Sequence, residues 1–362
     1  MLKQQKIFFD FLRFCIGSAK EIPASLKKAD WEELYAIAKK QCLVGILFDG
    51  IKKLPAEHVG MKKELLLQWM AESQMLEKAN IRLNDAAIQV SEWFRKKGFR
   101  TCILKGQGNA LMYPNSYSRT PGDIDIWVEG GDKRVISFVR SISPHEKACY
   151  HHIEFPSYKG VEVEVHYRPS FLLCFWHNRK LQKYYERVKK KQFSHRVMLG
   201  KEGEVAIPTV EFNVIFQLTH IFSHLMNEGI GLRQLLDYYF VISMLSVNCE
   251  MLTSLQKELK ELGLWKFAGA IMYIMQEVFG MPASRLIVPP NEKFGKFVLN
   301  EVLEAGNFGK HDERNRFGKS QLGHNLQRVY RDMRLVRYFP AEALSEPIFR
   351  VWHFFWRMKN RK

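Results

Sequence analysis

The spacing of apolar residues divides the chain into three stretches. Through residue 97 they recur every three or four positions, as in Leu65, Trp69, Leu76, Leu83 and Ile88 with polar residues between, which predicts amphipathic helices. Gly98 ends the last of these helices. Short β-type runs follow at 99–104, 123–128, near 150–155 and at 161–167. A helix over about 133–141 separates two of them, so this stretch is an α/β unit rather than a sandwich. After Pro208 the helical spacing resumes through Met244, from Met251 to Phe279, and in the C-terminal part. The expected organisation is an N-terminal helical domain over 1–97, a small α/β domain over 98–207, and a C-terminal helical domain over 208–362.

The run Asp123-Ile124-Asp125-Ile126-Trp127-Val128 alternates, so a strand there projects both carboxylates from one face and both isoleucines from the other. Two acids so placed repel unless a cation lies between them, and an oxygen-only pair suits Mg²⁺ better than zinc. Taken alone, the pattern also describes a solvated strand face. The run from Val161 to Tyr167 alternates as well and puts Glu162, Glu164 and His166 on a single face. If the two strands are neighbours, a third carboxylate joins the first two, the arrangement a two-metal site needs. His166 shares the face of Glu164 and can orient that carboxylate or carry a proton. His151 and His152 are adjacent at a strand start, so strand alternation allows at most one of them to face a cleft.

A turn of sequence Leu104-Lys105-Gly106-Gln107-Gly108-Asn109 links a strand to a short helical stretch ending near Pro114. Its glycines let backbone approach a phosphate, and Lys105 adds a full positive charge. A dinucleotide fingerprint is rejected, because bulky Leu111 stands where a small residue must pack and Pro114 leaves the helix too short. No Walker A sequence occurs.

The formal charge of +17 favours anionic partners without choosing among them. Basic residues concentrate over 179–201 and in the tail over 350–362, where Trp352, Phe355 and Trp356 are interspersed. Such a tail can meet a membrane surface or pack on its own domain. With 46% hydrophobic and 26% charged residues, disorder is not expected. No stretch reaches the roughly 18 apolar residues of a membrane span. Asp10 and Arg13 interrupt the first apolar run, unlike a signal peptide, so the expected location is cytoplasmic. The six cysteines form no CxxC pair and are expected as reduced core residues.

The ordered set Leu104-Lys105-Gly106, Tyr113-Pro114, Arg119 with Asp123-Ile124-Asp125, and Glu164-Val165-His166-Tyr167 resembles a bacterial family of uncharacterised nucleotidyltransferases within the DNA-polymerase-β-like superfamily. The likeness extends to Pro208, the helix with His220 and His224, Gly231-Leu232-Arg233 with Asp237, and Arg337-Tyr338. It implies an α+β fold in which a small mixed sheet is flanked by N- and C-terminal helical domains. It also implies that Asp123, Asp125 and Glu164 hold two Mg²⁺ ions, with Mn²⁺ as a substitute, and that Gly106 opens the nucleotide-binding turn. The superfamily has Gly or Ser after this glycine, whereas this chain has Gln107, so Lys105, Gly106, Gln107 and Arg119 are the candidates for holding the triphosphate, for example ATP. The implied reaction moves a nucleoside monophosphate to an acceptor hydroxyl and releases pyrophosphate. The alternative is an inactive relative that binds nucleotide or nucleic acid.

The acceptor, whether small molecule, sugar, protein or RNA, the preferred base and the oligomeric state are not written in the sequence. His220 and His224 share a helix face but lack the Glu of a zincin HExxH. They are candidate acceptor or nucleotide contacts, or satisfied core residues. Arg233 and Asp237, four apart on a helix, are a surface ion pair or a second contribution to the cleft.

Overall fold

A computed structural model describes residues 3–55, 60–200, 203–246, 248–312, 314 and 321–360. Of the basic segments, Lys201, Arg361 and Lys362 lie outside the described residues. Helices α1 (Lys3–Ile16), α2 (Trp31–Lys40), α3 (Val44–Ile51) and α4 (Lys63–Lys96) come first. The centre holds β1 (Thr101–Ile103), the single turn α5 (Gln107–Ala110), β2 (Ile124–Val128), α6 (Gly131–Ile142), β3 (His152–Tyr158), β4 (Val161–His166) and α7 (Phe175–Ser194). A hairpin of β5 (Arg196–Leu199) and β6 (Gly203–Ala206) leads to α8 (Val210–Asn227), α9 (Leu232–Met244), α10 (Cys249–Glu261), α11 (Trp265–Glu277) and α12 (Glu292–Ala305). Helices α13 (Gln321–Leu335) and α14 (Pro340–Lys359) complete the chain. This is the α+β architecture expected, with helices on both sides of a small sheet.

The sheet runs β1-β2-β4-β3, with β2 and β4 parallel and both outer pairs antiparallel. Ile124, Ile126, Val163 and Val165 face a core shared with Leu83, Ala87 and Phe94 of α4 and Val135 and Val139 of α6. The opposite face carries Trp127, which packs on Phe193 of α7 and Phe212 of α8 at 4.6 and 5.9 Å between ring centres. Polar residues of that second face lie beside Trp127 and are walled by α8.

A second hydrophobic cluster runs without a break from α1–α3 through α8–α12 to Leu335, Phe339 and Ala343. The 34-residue α4, about 50 Å long at ~1.5 Å per residue, touches both clusters. Its first half buries Trp69 against α3, where the indole N–H donates to the Val44 carbonyl at 2.9 Å. Its second half covers the sheet.

The hairpin β5–β6 falls where the sequence reading saw only basic composition. Its exposed Arg196 and Glu204 pair across the strands, and the short arms leave little periodicity to read. Only Cys15 and Cys102 of the six cysteines are buried and Cys249 is exposed, so the expectation that the six are core residues is corrected. Of the tail aromatics, Trp352 meets Tyr150 edge-on at 5.4 Å and Trp356 reaches the sheet-side core, whereas Phe355 is exposed. No helix among the described residues is long and apolar enough to cross a membrane.

Candidate active site

Parallel pairing of β2 with β4 sets Asp125 directly beside Glu164 and Trp127 beside His166. Asp123 precedes β2 by one residue and lies two positions before Asp125. Oxygens of Asp123, Asp125 and Glu164 come within 4.8 Å of one another. Three carboxylates this close repel. The charge of Asp125, together with burial, pushes the Asp123 pKa up to about 6.

Two cations of the chain answer the remaining charge. The Lys105 ammonium lies 2.7 Å from Asp125 and 3.2 Å from Nε2 of His220. The His166 Nε2 lies 2.9 Å from Asp125 and 3.3 Å from Glu164, while its Nδ1 faces the Arg168 carbonyl at 3.3 Å. A carbonyl only accepts, so Nδ1 carries a proton, and Nε2 donates to the carboxylates. Burial disfavours that imidazolium, but the two carboxylates overcome burial and raise its pKa to about 9. Burial likewise opposes charge on Asp125, yet Lys105 and His166 hold its pKa well below the usual carboxylate range.

The turn after β1 is fixed by its glycine and by the neighbours of α5. Gly106 has φ +53°, ψ −108°, a backbone conformation that costs side-chain-bearing residues free energy. Below it, Asn109 accepts from Gln217 of α8 at 2.8 Å. Of Gln107, a candidate for the triphosphate, the side chain points away from the turn's open side. That side chain is buried and donates to Asn84 at 2.5 Å and to the Asn80 carbonyl at 3.3 Å, anchoring α5 to α4. A buried amide needs such partners, and polar residues on the inner face of α4 supply them.

Arg119 lines the cavity, but its guanidinium is engaged. Nε and Nη2 each donate to Asp237 at 2.8 Å, and the Tyr113 hydroxyl donates to the same carboxylate at 2.6 Å. The expected Arg233–Asp237 pair does not form, and neither residue is on the surface. Arg233 is buried, donates from Nη1 to the Thr120 carbonyl at 3.2 Å, and has no hydrogen-bond partner at Nε. Burial and the Arg119 charge both lower its pKa. It lines the cavity, and Asp237, hydrogen-bonded to Arg119 instead, acts on it only through its charge. His220 and His224 also face the cavity, their rings 4.3 Å apart, with Nδ1 of His224 3.3 Å from Glu228.

His151 and His152 both line the cavity, which corrects the expectation that at most one would. Alternation does not apply to His151, because β3 begins only at His152 and His151 is at the corner before it. The cavity, about 630 Å³, takes its far wall from Arg328, Phe349, Arg350 and His353 of α13 and α14, and from Phe308. Phe308 has φ 55°, a conformation uncommon outside glycine. Sequence reading missed these residues because they are far along the chain and carry no spacing signal.

The donor set at the floor fits a hard divalent cation: three carboxylates and no sulfur, converging where the chain supplies positive charge to offset them. A small mixed sheet presenting paired aspartates and a partnering glutamate beside a glycine turn, enclosed by helices, defines a nucleotidyltransferase-type protein. A model of the family described as uncharacterised nucleotidyltransferases matches residues 27–280, and the chain belongs to that family. One similar solved structure is an antigenic nucleotidyltransferase-like protein from Paracoccidioides brasiliensis. It is 14% identical, with 59% of this chain and 95% of that one covered and a TM-score of 0.32, too slight a likeness to add to the assignment. No curated protein matches the chain.

Proposed function

We propose that the protein transfers a nucleoside monophosphate from a nucleoside triphosphate to an acceptor hydroxyl, releasing pyrophosphate. The observation that carries this reading is the convergence of Asp123, Asp125 and Glu164 at the floor of a cavity rimmed by arginine and histidine. These three residues would hold two Mg²⁺ ions, or Mn²⁺ in their place, which when bound neutralise phosphate charge and acidify the acceptor hydroxyl. Arg233, which lines the cavity without a hydrogen-bonded carboxylate, would supply positive charge for the triphosphate. Lys105 keeps the carboxylates in place before substrate arrives and turns from Asp125 towards phosphate once that charge is otherwise met. His166 holds Asp125 and Glu164 in register through one nitrogen. The wall from α13 and α14 excludes bulk water and bounds the acceptor. Alignment and charge, rather than a tuned acid or base, account for the rate.

The test is transfer of label from ATP and the other triphosphates to fractions of small molecules, protein and RNA in the presence of Mg²⁺. Label from the α-phosphate moves, pyrophosphate is released, and Asp125→Asn abolishes both. Movement of γ-label instead identifies a phosphoryl transfer and overturns the reading.

A further inference from the structure

Beside the carboxylates, a tight turn gathers softer donors. The Cys149 N–H donates to the His152 carbonyl at 2.9 Å, and Ala148 bridges to Ile153, so Cys149 and His152 face each other with Tyr150 and His151 at the corner. The turn is pinned from outside as well: Tyr167 and Arg168 N–H groups donate to the His151 carbonyl at 3.0 and 3.1 Å, and the Tyr167 hydroxyl donates to the Cys149 carbonyl. Three donor side chains are therefore held before any ligand arrives.

Their distances have the scale of a coordination shell. Cys149 Sγ lies 3.5 Å from Nδ1 of His151 and 3.4 Å from Nδ1 of His152. His152 Nδ1 lies 3.1 Å from the other His151 nitrogen, Nε2, and 3.5 Å from the Glu164 carboxylate, and one donor atom from each of Cys149, His151 and His152 lies within 4.8 Å of the other two. Zinc bonds of about 2.3 Å to sulfur and about 2.0–2.1 Å to nitrogen, arranged tetrahedrally, separate ligand atoms by roughly 3.3–3.6 Å. Three lone-pair-bearing groups surround His152 Nδ1, and a neutral imidazole can donate only one proton among them.

We propose that Cys149, His151 and His152, whose donor atoms lie within 4.8 Å of one another, form a binding site for a borderline-soft divalent cation of the zinc type. All three residues line the cavity, so the site is open to an entering ion. Ligation takes the Cys149 thiolate, so binding releases its proton to solvent. A second cluster, Cys174, His177 and Glu342, is less suited. Its glutamate already accepts from the N–H groups of Leu173, at 2.6 Å, and Cys174, at 3.0 Å. On the reading of the carboxylates as a magnesium site, a cation held by His152, whose Nδ1 lies 3.5 Å from Glu164, repels magnesium there and inhibits transfer.

The experiment titrates the purified, reduced, metal-free full chain with Co²⁺, whose thiolate charge-transfer absorption reports a sulfur ligand without any nucleotide. Magnesium chemistry does not enter this readout, so its failure is separate from failure of the proposed reaction. Wild type takes up one equivalent with the charge-transfer band, and Cys149→Ala removes the band. His152→Ala weakens binding at least ~10-fold, and Cys174→Ala changes nothing. Circular dichroism establishes that each variant is folded. If Cys149→Ala does not fold, His151→Ala and His152→Ala decide. No band in wild type, a band that survives Cys149→Ala, a Co²⁺ affinity unchanged in both histidine variants, or a band lost in Cys174→Ala overturns the proposal.

Discussion

Arg119 and Arg233 sit on the same side of the cavity and differ in what surrounds them. Arg119 is locked to Asp237 by two hydrogen bonds, and both side chains are buried. Removing it leaves Asp237 buried against an uncharged gap, which costs about 3–5 kcal/mol. Arg119→Ala is therefore expected to lower the thermal midpoint sharply. Arg233 has no hydrogen-bonded carboxylate, so Arg233→Ala is expected to weaken triphosphate binding by about 1–3 kcal/mol with a smaller effect on unfolding. Calorimetry and thermal denaturation of both variants check the contrast, and equal losses of stability would assign both arginines to the scaffold. His166 sets a pH dependence. Its pKa rises from 6.5 to about 9 in the folded chain, so its stabilisation is complete below pH 6.5 and is lost as pH rises through 9. The thermal midpoint of the metal-free protein should fall across that window, and His166→Gln should flatten the fall.

Strand alternation made much of the site legible: the period of two grouped Asp123 with Asp125 in one run and Glu164 with His166 in the other, and the parallel pairing that joins the two groups is visible only in the fold. It failed at His151, which is outside the strand, and at Gln107, whose burial depends on Asn84 of a helix 23 residues earlier in the chain. The exchange of Arg233 for Arg119 as the partner of Asp237 was equally hidden, because it spans 118 residues. The fold class came through because long helical periodicity is a strong signal, whereas the four-residue strands of the β5–β6 hairpin are too short to give one. Contacts between elements also position the site. Asn80 of α4 donates to the carbonyls of Tyr117 and Arg119, both at 2.8 Å, and Gly45 of α3 packs against the backbone of Ser118. A Cβ at position 45 would overlap the Ser118 carbonyl oxygen. Gly45→Ala is expected to cost about 1–3 kcal/mol of stability and, by displacing the segment that carries Arg119, to reduce nucleotide affinity. A chemical denaturation midpoint unchanged from wild type would show that α3 does not brace the segment.

For the molecule as a whole, the charge of +17 and the enclosed cavity lead to different salt responses. Binding to a nucleic-acid backbone at 6–10 phosphates loses about 10³–10⁵ in affinity between 50 and 200 mM salt. A triphosphate held inside the cavity by a few buried groups should lose less than about tenfold over the same range, because buried pairs are weakly screened. Fluorescence titration with a labelled triphosphate and with single-stranded RNA separates the two. The central claim, that Asp123, Asp125 and Glu164 bind magnesium together with a nucleotide, is tested most directly by calorimetric titration of a non-hydrolysable triphosphate into the metal-free full chain, with and without Mg²⁺, for wild type and Asp125→Asn. Wild type is expected to bind only with Mg²⁺, and the variant to show at least a tenfold loss while remaining folded. Equal affinity in all four titrations would contradict the account.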